Sequence, residues 1–194
     1  MTVLSSSSPY AWPWDGHLDP SRLALLIVSS LPTSSHLGPS PTGSGVVTSG
    51  LAAPSGAASR EAQATEALAG VVRETGGIVV NLMCQTDGQP TPEGWIAAPQ
   101  IDGFYESRLD SYLRAQGRDQ LLLAGTWLET TVHSTLRSAN DRGYECLIVQ
   151  DLCVSYDPDL RTGSLSCIEM SGGIFGAIDS STHVTALLTT HFSR

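Results

Sequence analysis

The side chains able to do covalent or metal chemistry are few and scattered. There are four cysteines (Cys84, Cys146, Cys153, Cys167) and five histidines (His17, His36, His133, His183, His191). A cysteine beside a base supports nucleophilic catalysis, and closely spaced Cys, His or carboxylates hold metals. Here no CxxC pair and no HExxH occurs, so no metal site is expected. No GxGxxG or GxxxxGK[ST] turn is present either, so no nucleotide or other cofactor is expected. All ten basic residues are arginines. A chain without lysine is barred from Schiff-base chemistry, from a phosphate-loop lysine and from any triad using an ammonium. The thiols read as reduced cysteines in or near the core of an intracellular protein.

These residues must be positioned by one domain. The 194 residues are 41% apolar and 15% charged, which suits a single unit spanning residues 1–194 with a sizeable core. Acids outnumber bases 19 to 10, for a formal net charge of -9. That balance argues against direct contact with nucleic acid or an anionic membrane, both of which attract basic surfaces. The apolar run Leu23–Val28 is too short to span a bilayer, which takes about 20 residues. Met1–Tyr10 lacks the basic and apolar regions of a secretory signal. The expected location is cytoplasmic by default, with an organellar destination left open.

Hydrophobic periodicity gives alternating strands and helices. Strands are predicted at Leu23–Val28, Ile78–Met83, Gln120–Ala124, Cys146–Gln150 and Gly173–Ala177. Helices are predicted over Arg60–Thr75, Ser107–Gln116 (with Leu109, Tyr112 and Leu113 as the buried stripe), Leu128–Arg142, Leu160–Met170 and Ser180–Leu188. Gly76 and Gly143 mark helix stops, and Ser180 or Ser181 is a plausible N-cap. Residues 29–59, rich in Ser, Gly and Pro, read as a low-complexity loop inserted after the first strand. Near-continuous apolar strands between helices imply a three-layer α/β/α sandwich around a mainly parallel, Rossmann-like sheet. Ligands in such folds sit beyond the carboxyl ends of the strands, just after Val28, Met83 and Ala124.

One stretch carries a family resemblance. LLLAGTWLETTVHSTLRSANDRGYECLIVQDLCVSYDP from Leu121, followed by GGIFG at Gly172–Gly176, resembles the isochorismatase-like cysteine hydrolases. Within them it is similar to the biuret and ureidoacrylate amidohydrolase branch. PYAWPWDGHLDPSRLALLIV at Pro9–Val28 and APQIDGFYES at Ala98–Ser107 agree. The resemblance implies an α/β sandwich that hydrolyses an amide or related C–N bond. It also implies a triad of a cysteine at a helix start, an aspartate after the first strand and an assisting lysine.

Carried onto this sequence, the resemblance places the three positions at changed residues. LLIVSSL has Ser29 where the family's LLIIDMQ has its aspartate. APQIDGFYES has Ala98 where the family has its lysine. GTWLETTVHST has Thr131 where GVTTEVCVHTT has its cysteine. Serine is no base at neutral pH, alanine has no functional group, and an unactivated threonine is a weak nucleophile. His133, two residues from Thr131 on a helix, points to a different face. Cys84, near the end of the second strand, reads as an ordinary thiol, with Asp87 the only acid in its immediate sequence. Glu129 and Asp151 are expected to cap or pair with Arg, Asp102 to sit in a turn, and Trp127 to pack.

The resulting expectation is a degenerate triad and a pseudoenzyme. It would act as a structural or regulatory subunit of a homo-oligomer, or of a hetero-oligomer with an active paralogue or larger assembly. The alternatives are a C–N hydrolase using non-standard residues and a small-ligand-binding sensor.

Overall fold

The computed structural model describes residues 17–30, 56–86 and 88–190. Residues 9–16 of the family-like segment, residues 31–55 of the uncharged stretch, Asp87, His36 and His191 lie outside the described residues. Six strands, β1 (Leu23–Ser30), β2 (Ile78–Cys84), β3 (Ile96–Ala97), β4 (Gln120–Thr126), β5 (Glu145–Val154) and β6 (Ala177–Asp179), form one sheet. Its order is β3-β2-β1-β4-β5-β6 and every pairing is parallel. This is a doubly wound order, with its switch point between β1 and β4.

The helices α1 (Gly56–Glu74), α2 (Leu109–Ala115), α3 (His133–Asp141), α4 (Pro158–Gly173) and α5 (Ser181–Thr190) cover both faces. Strand side chains alternate between the two faces. Leu26, Val28, Leu82 and Leu123 therefore pack with Leu113, Leu136 and Ile168 from α2, α3 and α4. Leu23, Leu25, Leu122 and Val149 pack with Leu68, Val72, Val184 and Leu188 from α1 and α5. The three-layer sandwich expected from the sequence is the architecture found.

Several local expectations need correction. Tyr112 is 38% exposed, whereas Leu109 and Leu113 are fully buried. At about 100° per residue, Leu109 and Leu113 nearly eclipse, and Tyr112 sits well off their bisector. The fifth strand was expected at Gly173–Ala177, but α4 runs to Gly173 and the strand is Ala177–Asp179. Ile174 and Phe175 are a turn, not a strand, although their apolar character suggests one. β1 continues through Ser29 and Ser30, and α1 begins at Gly56, so both ends of the 29–59 stretch belong to regular elements. β3 lies in the Pro- and Gly-containing connection between β2 and α2, where no strand is predicted because two residues carry no periodic signal.

At the switch point the backbones of β1 and β4 come unusually close. A Cβ at Gly125 would lie 1.9 Å from the Val28 carbonyl oxygen, and Gly125 has φ 124°. Only glycine fits such an approach and such a backbone angle. Gly125→Ala is expected to cost more than about 3 kcal/mol in unfolding free energy. Urea unfolding measures this, and a loss under about 1 kcal/mol would contradict the packing described.

Candidate functional site

The carboxyl ends of β1, β2 and β4 bring the three family-derived positions to one end of the sheet. Ser29 closes β1 and is in register with Met83 of β2. Ala98 follows β3 and donates its N–H to the Met83 carbonyl at 2.8 Å. Its own carbonyl accepts from Thr86 N at 3.4 Å and from Thr86 Oγ1 at 3.3 Å. Thr131 lies in the π-helical turn Leu128–Val132 that links β4 to α3. Ser29 and Ala98 thus share Met83 as neighbour, and Thr131 stands over the switch point from the β4 side.

The chemistry available there is sparse. Ala98 and Thr131 are both fully buried. The Thr131 hydroxyl has no hydrogen-bond partner among the described residues. A helical threonine commonly donates to the carbonyl four residues back. In this π turn that carbonyl, on Trp127, instead accepts Val132 N at 3.0 Å and Thr130 N at 3.3 Å. The Thr131 carbonyl accepts from Thr135 Oγ1 at 2.7 Å, and Thr135 Oγ1 also accepts Gly103 N at 3.0 Å. Those bonds tie the 102–104 turn to α3.

No base reaches Thr131 among the described residues. His133 is half-buried, and Arg137 Nε–H donates to its Nε2 at 3.3 Å. Burial first, and the Arg137 charge second, hold its imidazole below the ordinary value. Cys84 ends β2 opposite Ser30 and is fully buried. Burial, reinforced by the Asp102 carboxylate, pushes its thiol up to about 12. Neither residue has the environment of a catalytic group. Ser30 Oγ donates to Gln85 Oε1 beside it, a neutral contact.

The remaining acids hold backbone in place. Glu129 accepts Tyr156 N at 3.0 Å and Asp157 N at 3.4 Å. Asp151 accepts Ser181 N at 2.7 Å and Ser181 Oγ at 2.5 Å, anchoring the start of α5. Ser180 Oγ accepts His183 N at 3.2 Å and caps that helix. Asp102 accepts Phe104 N at 2.9 Å within its turn. Trp127, which follows a cis peptide bond, packs edge-on against Tyr156 at 5.4 Å. Sequence spacing missed one acid–imidazole pair, Asp179 Oδ2 with His183 Nδ1 at 2.6 Å. Its four-residue spacing was the available signal, but it links the end of β6 to α5, three strands away from β1. No group of three or more potential metal ligands occurs among the described residues. No described helix is long and apolar enough to cross a membrane.

A doubly wound parallel sheet with its switch point between β1 and β4 defines an α/β protein of the class that places ligands beyond the carboxyl ends of its strands. The isochorismatase domain matches residues 87–180. The ureidoacrylate amidohydrolase RutB of Methylorubrum extorquens is 33% identical over 97 residues, covering 50% of this chain and 38% of that protein. RutB of Yersinia enterocolitica is 36% identical over 64 residues, covering 33% of this chain and 28% of that one. The chain therefore matches well under half the length of these curated relatives. A cysteine hydrolase from Pseudomonas syringae pv. phaseolicola superimposes with TM-score 0.68 at 17% identity, covering 94% of this chain and 99% of that one. The nicotinamidase SaPncA from Staphylococcus aureus gives 0.62 at 16% identity, with 82% and 99% covered. Residues 87–180, just under half of the chain, are thus similar to the isochorismatase domain, and the chain shares the fold of these hydrolases.

Burial sets how the cysteines respond to pH. The Cys153 thiol is also raised to about 12 by burial, and Cys146 is raised by burial and Glu145. A raised thiol favours the folded, protonated form, so its contribution is full below about pH 9 and is lost as pH climbs toward about 12. At pH 8 such a thiol is ionised in about one molecule in 10,000. One thiol, the exposed Cys167, is expected to react rapidly with a thiol reagent at pH 8. The other three are expected to react only on unfolding. Rapid labelling mapped to Cys84 would restore it as a nucleophile.

Proposed function

We propose that this chain is an isochorismatase-like pseudoenzyme, retained as a structural or regulatory subunit of an oligomer or larger protein complex. The observation that carries this reading is the state of Thr131. It occupies the position that the resemblance gives to the nucleophile, yet its hydroxyl is fully buried and has no partner among the described residues. A nucleophile needs a base within hydrogen-bond reach and access to substrate. The aliphatic and fully buried Ala98 supports the same reading, since it offers neither charge nor hydrogen-bonding side chain where an assisting lysine is implied. Ser29 supplies a hydroxyl in place of a carboxylate. The partners that suit such a subunit are protein chains: copies of itself, an active paralogue, or a larger assembly.

Direct assay tests the catalytic half. Ureidoacrylate, biuret and nicotinamide are expected to show no hydrolysis above the uncatalysed rate. Turnover abolished by Thr131→Ala or Cys84→Ala would overturn the proposal in favour of a hydrolase with non-standard residues. Affinity purification from the native source tests the subunit half, and a lone monomer with no copurifying chain would sink it. Saturable binding of a small molecule, lost in a Ser29 variant, would instead favour a ligand sensor.

Stability offers an independent check. Thr131→Val keeps the β-branched shape and removes a buried, unpartnered hydroxyl. The variant is expected to be more stable by about 1–2 kcal/mol in urea unfolding. Destabilisation of similar size would mean that the hydroxyl is held by a partner and that the position is still in use.

A further inference from the structure

Helix α4 carries two apolar sides. Ile168 is fully buried and Leu165 packs against the same core. On the outer side Leu160 is 56% exposed and Met170 52%, and Ile174, the capping residue just past the helix end, is 44% exposed. Gly163 and Cys167 are also exposed. The positions 160, 163, 167, 170 and 174 advance by alternating steps of three and four, the spacing of a helix–helix seam.

Leu160 and Ile174 lie seven residues to either side of Cys167, while Gly163 lies four before it and Met170 three after it. A two-fold axis at Cys167, with two copies of α4 antiparallel, sets Leu160 of each copy against Ile174 of the other. Met170 then arrives level with Gly163 and Ser164. A Cβ at Gly163 would meet nothing within 4 Å, so space for a thioether stands open beside the seam. Ser164 and Ser166 flank the stripe without charge.

Charge matches in the same arrangement. The exposed Asp159 at the start of α4 has no cationic partner among the described residues. Beyond the other end of α4, the Arg137 guanidinium lies 3.8 Å from the Phe175 ring centroid, with no carboxylate partner among the described residues. The antiparallel pairing brings Asp159 of one copy to the level of Phe175 and Arg137 of the other, and opposes the helix dipoles favourably.

We infer that the outer face of α4 is a two-fold interface between two copies of this chain, centred on Cys167. A self-complementary pattern of this kind is what an isologous contact demands and what a foreign partner does not. The inference names a partner for the subunit proposed above and rests on that reading for the idea that a surface, not a pocket, is in use. One helix pair with its flanks is a small interface, so a dissociation constant of about 1–100 μM is expected.

Sedimentation velocity on the full chain, with and without a short bis-maleimide, tests it. The wild type is expected to dimerise and to be linked through Cys167, since the other three cysteines are buried. Met170→Asp is expected to weaken the dimer at least about 100-fold and to abolish linking, because it buries a carboxylate in an apolar seam. Gly163→Leu provides the second variant. It raises helix propensity, so the fold is expected to hold while the filled space drives the copies apart. A chain that is monomeric at about 100 μM overturns the inference. So does a dimer that persists in both variants and is not linked through Cys167, an outcome that leaves the subunit proposal standing. A different protein seated on α4 overturns the second copy as occupant and likewise preserves that proposal.

Discussion

The organisation of the molecule depends on β1 lying between β2 and β4, buried on both faces. Leu23, Ala24, Leu25 and Leu26 are fully buried, and the strand is bonded to a parallel neighbour on each side. The switch in strand order falls at its border with β4, where Val28 and Gly125 meet in register. The close approach at Gly125 leaves no room for a side chain over that border. The chain leaving β4 therefore rises directly into the turn that carries Thr131, and the chain leaving β1 carries Ser29 and Ser30. Glycine at 125 is thus a condition for the site's geometry as well as for the pairing of β1 with β4.

Charge is distributed unevenly between the two ends of this sheet. At the amino-terminal ends, Arg22 pairs with Asp119 at 2.7 Å, and Gln120 donates to Glu145 at 2.6 Å and to the His17 carbonyl at 2.6 Å. That network joins β1, β4 and β5 through side chains. At the opposite end, the contacts around Ser29, Ala98 and Thr131 are made by hydroxyls, amides and backbone. Asp102 and Glu129, the nearest acids in sequence, are engaged with backbone N–H groups. A hydrolytic site in such folds stabilises developing charge with fixed charges and dipoles. Here the paired charges that join β1, β4 and β5 sit at the end where the fold does not place its ligands.

The strands β1, β2, β4 and β5, the helices and the three-layer packing were legible because each of those strands contains a nearly continuous apolar run and most helices have a periodic face. Leu68 and Val72 in α1 or Leu136 and Ala139 in α3 announce their burial by spacing alone. What was not legible depends on contacts distant in sequence. Tyr112 looks like a core residue until the orientation of a two-turn helix is fixed. Phe175 sits in an apolar run that resembles a strand, but in the structure it lies under the guanidinium of Arg137. The bulge in β5, where Gly125 pairs with Cys153 after Leu123 pairs with Ile148, is held by Arg161 donating to the Gln150 and Cys153 carbonyls. No periodicity predicts such a clamp. At the site, residue types at 29, 98 and 131 were readable, whereas the burial of Thr131 was not. Its unpartnered hydroxyl arises from a π turn that the helical pattern of Leu128–Arg142 conceals.

The proposed loss of chemistry has a physical logic. An aspartate, a lysine and a cysteine at one strand end are tolerable while water or substrate reaches them, because an isolated buried charge costs many kcal/mol. Once turnover is no longer required, such charges become a burden on any packing that closes over them. Serine and alanine at positions 29 and 98 remove that burden without enlarging the side chains. Threonine at 131 is an intermediate case. It has the branched shape that fills space in the turn after β4, and it leaves only one neutral hydroxyl unsatisfied. A buried neutral hydroxyl costs about 1–3 kcal/mol, far less than a buried ion. On the proposed reading, burial of Ala98 and Thr131 leaves little there to offer a substrate. Its remaining chemistry lies on its outer faces, where apolar side chains such as Leu160 and Met170 stand in water with nothing catalytic to account for them.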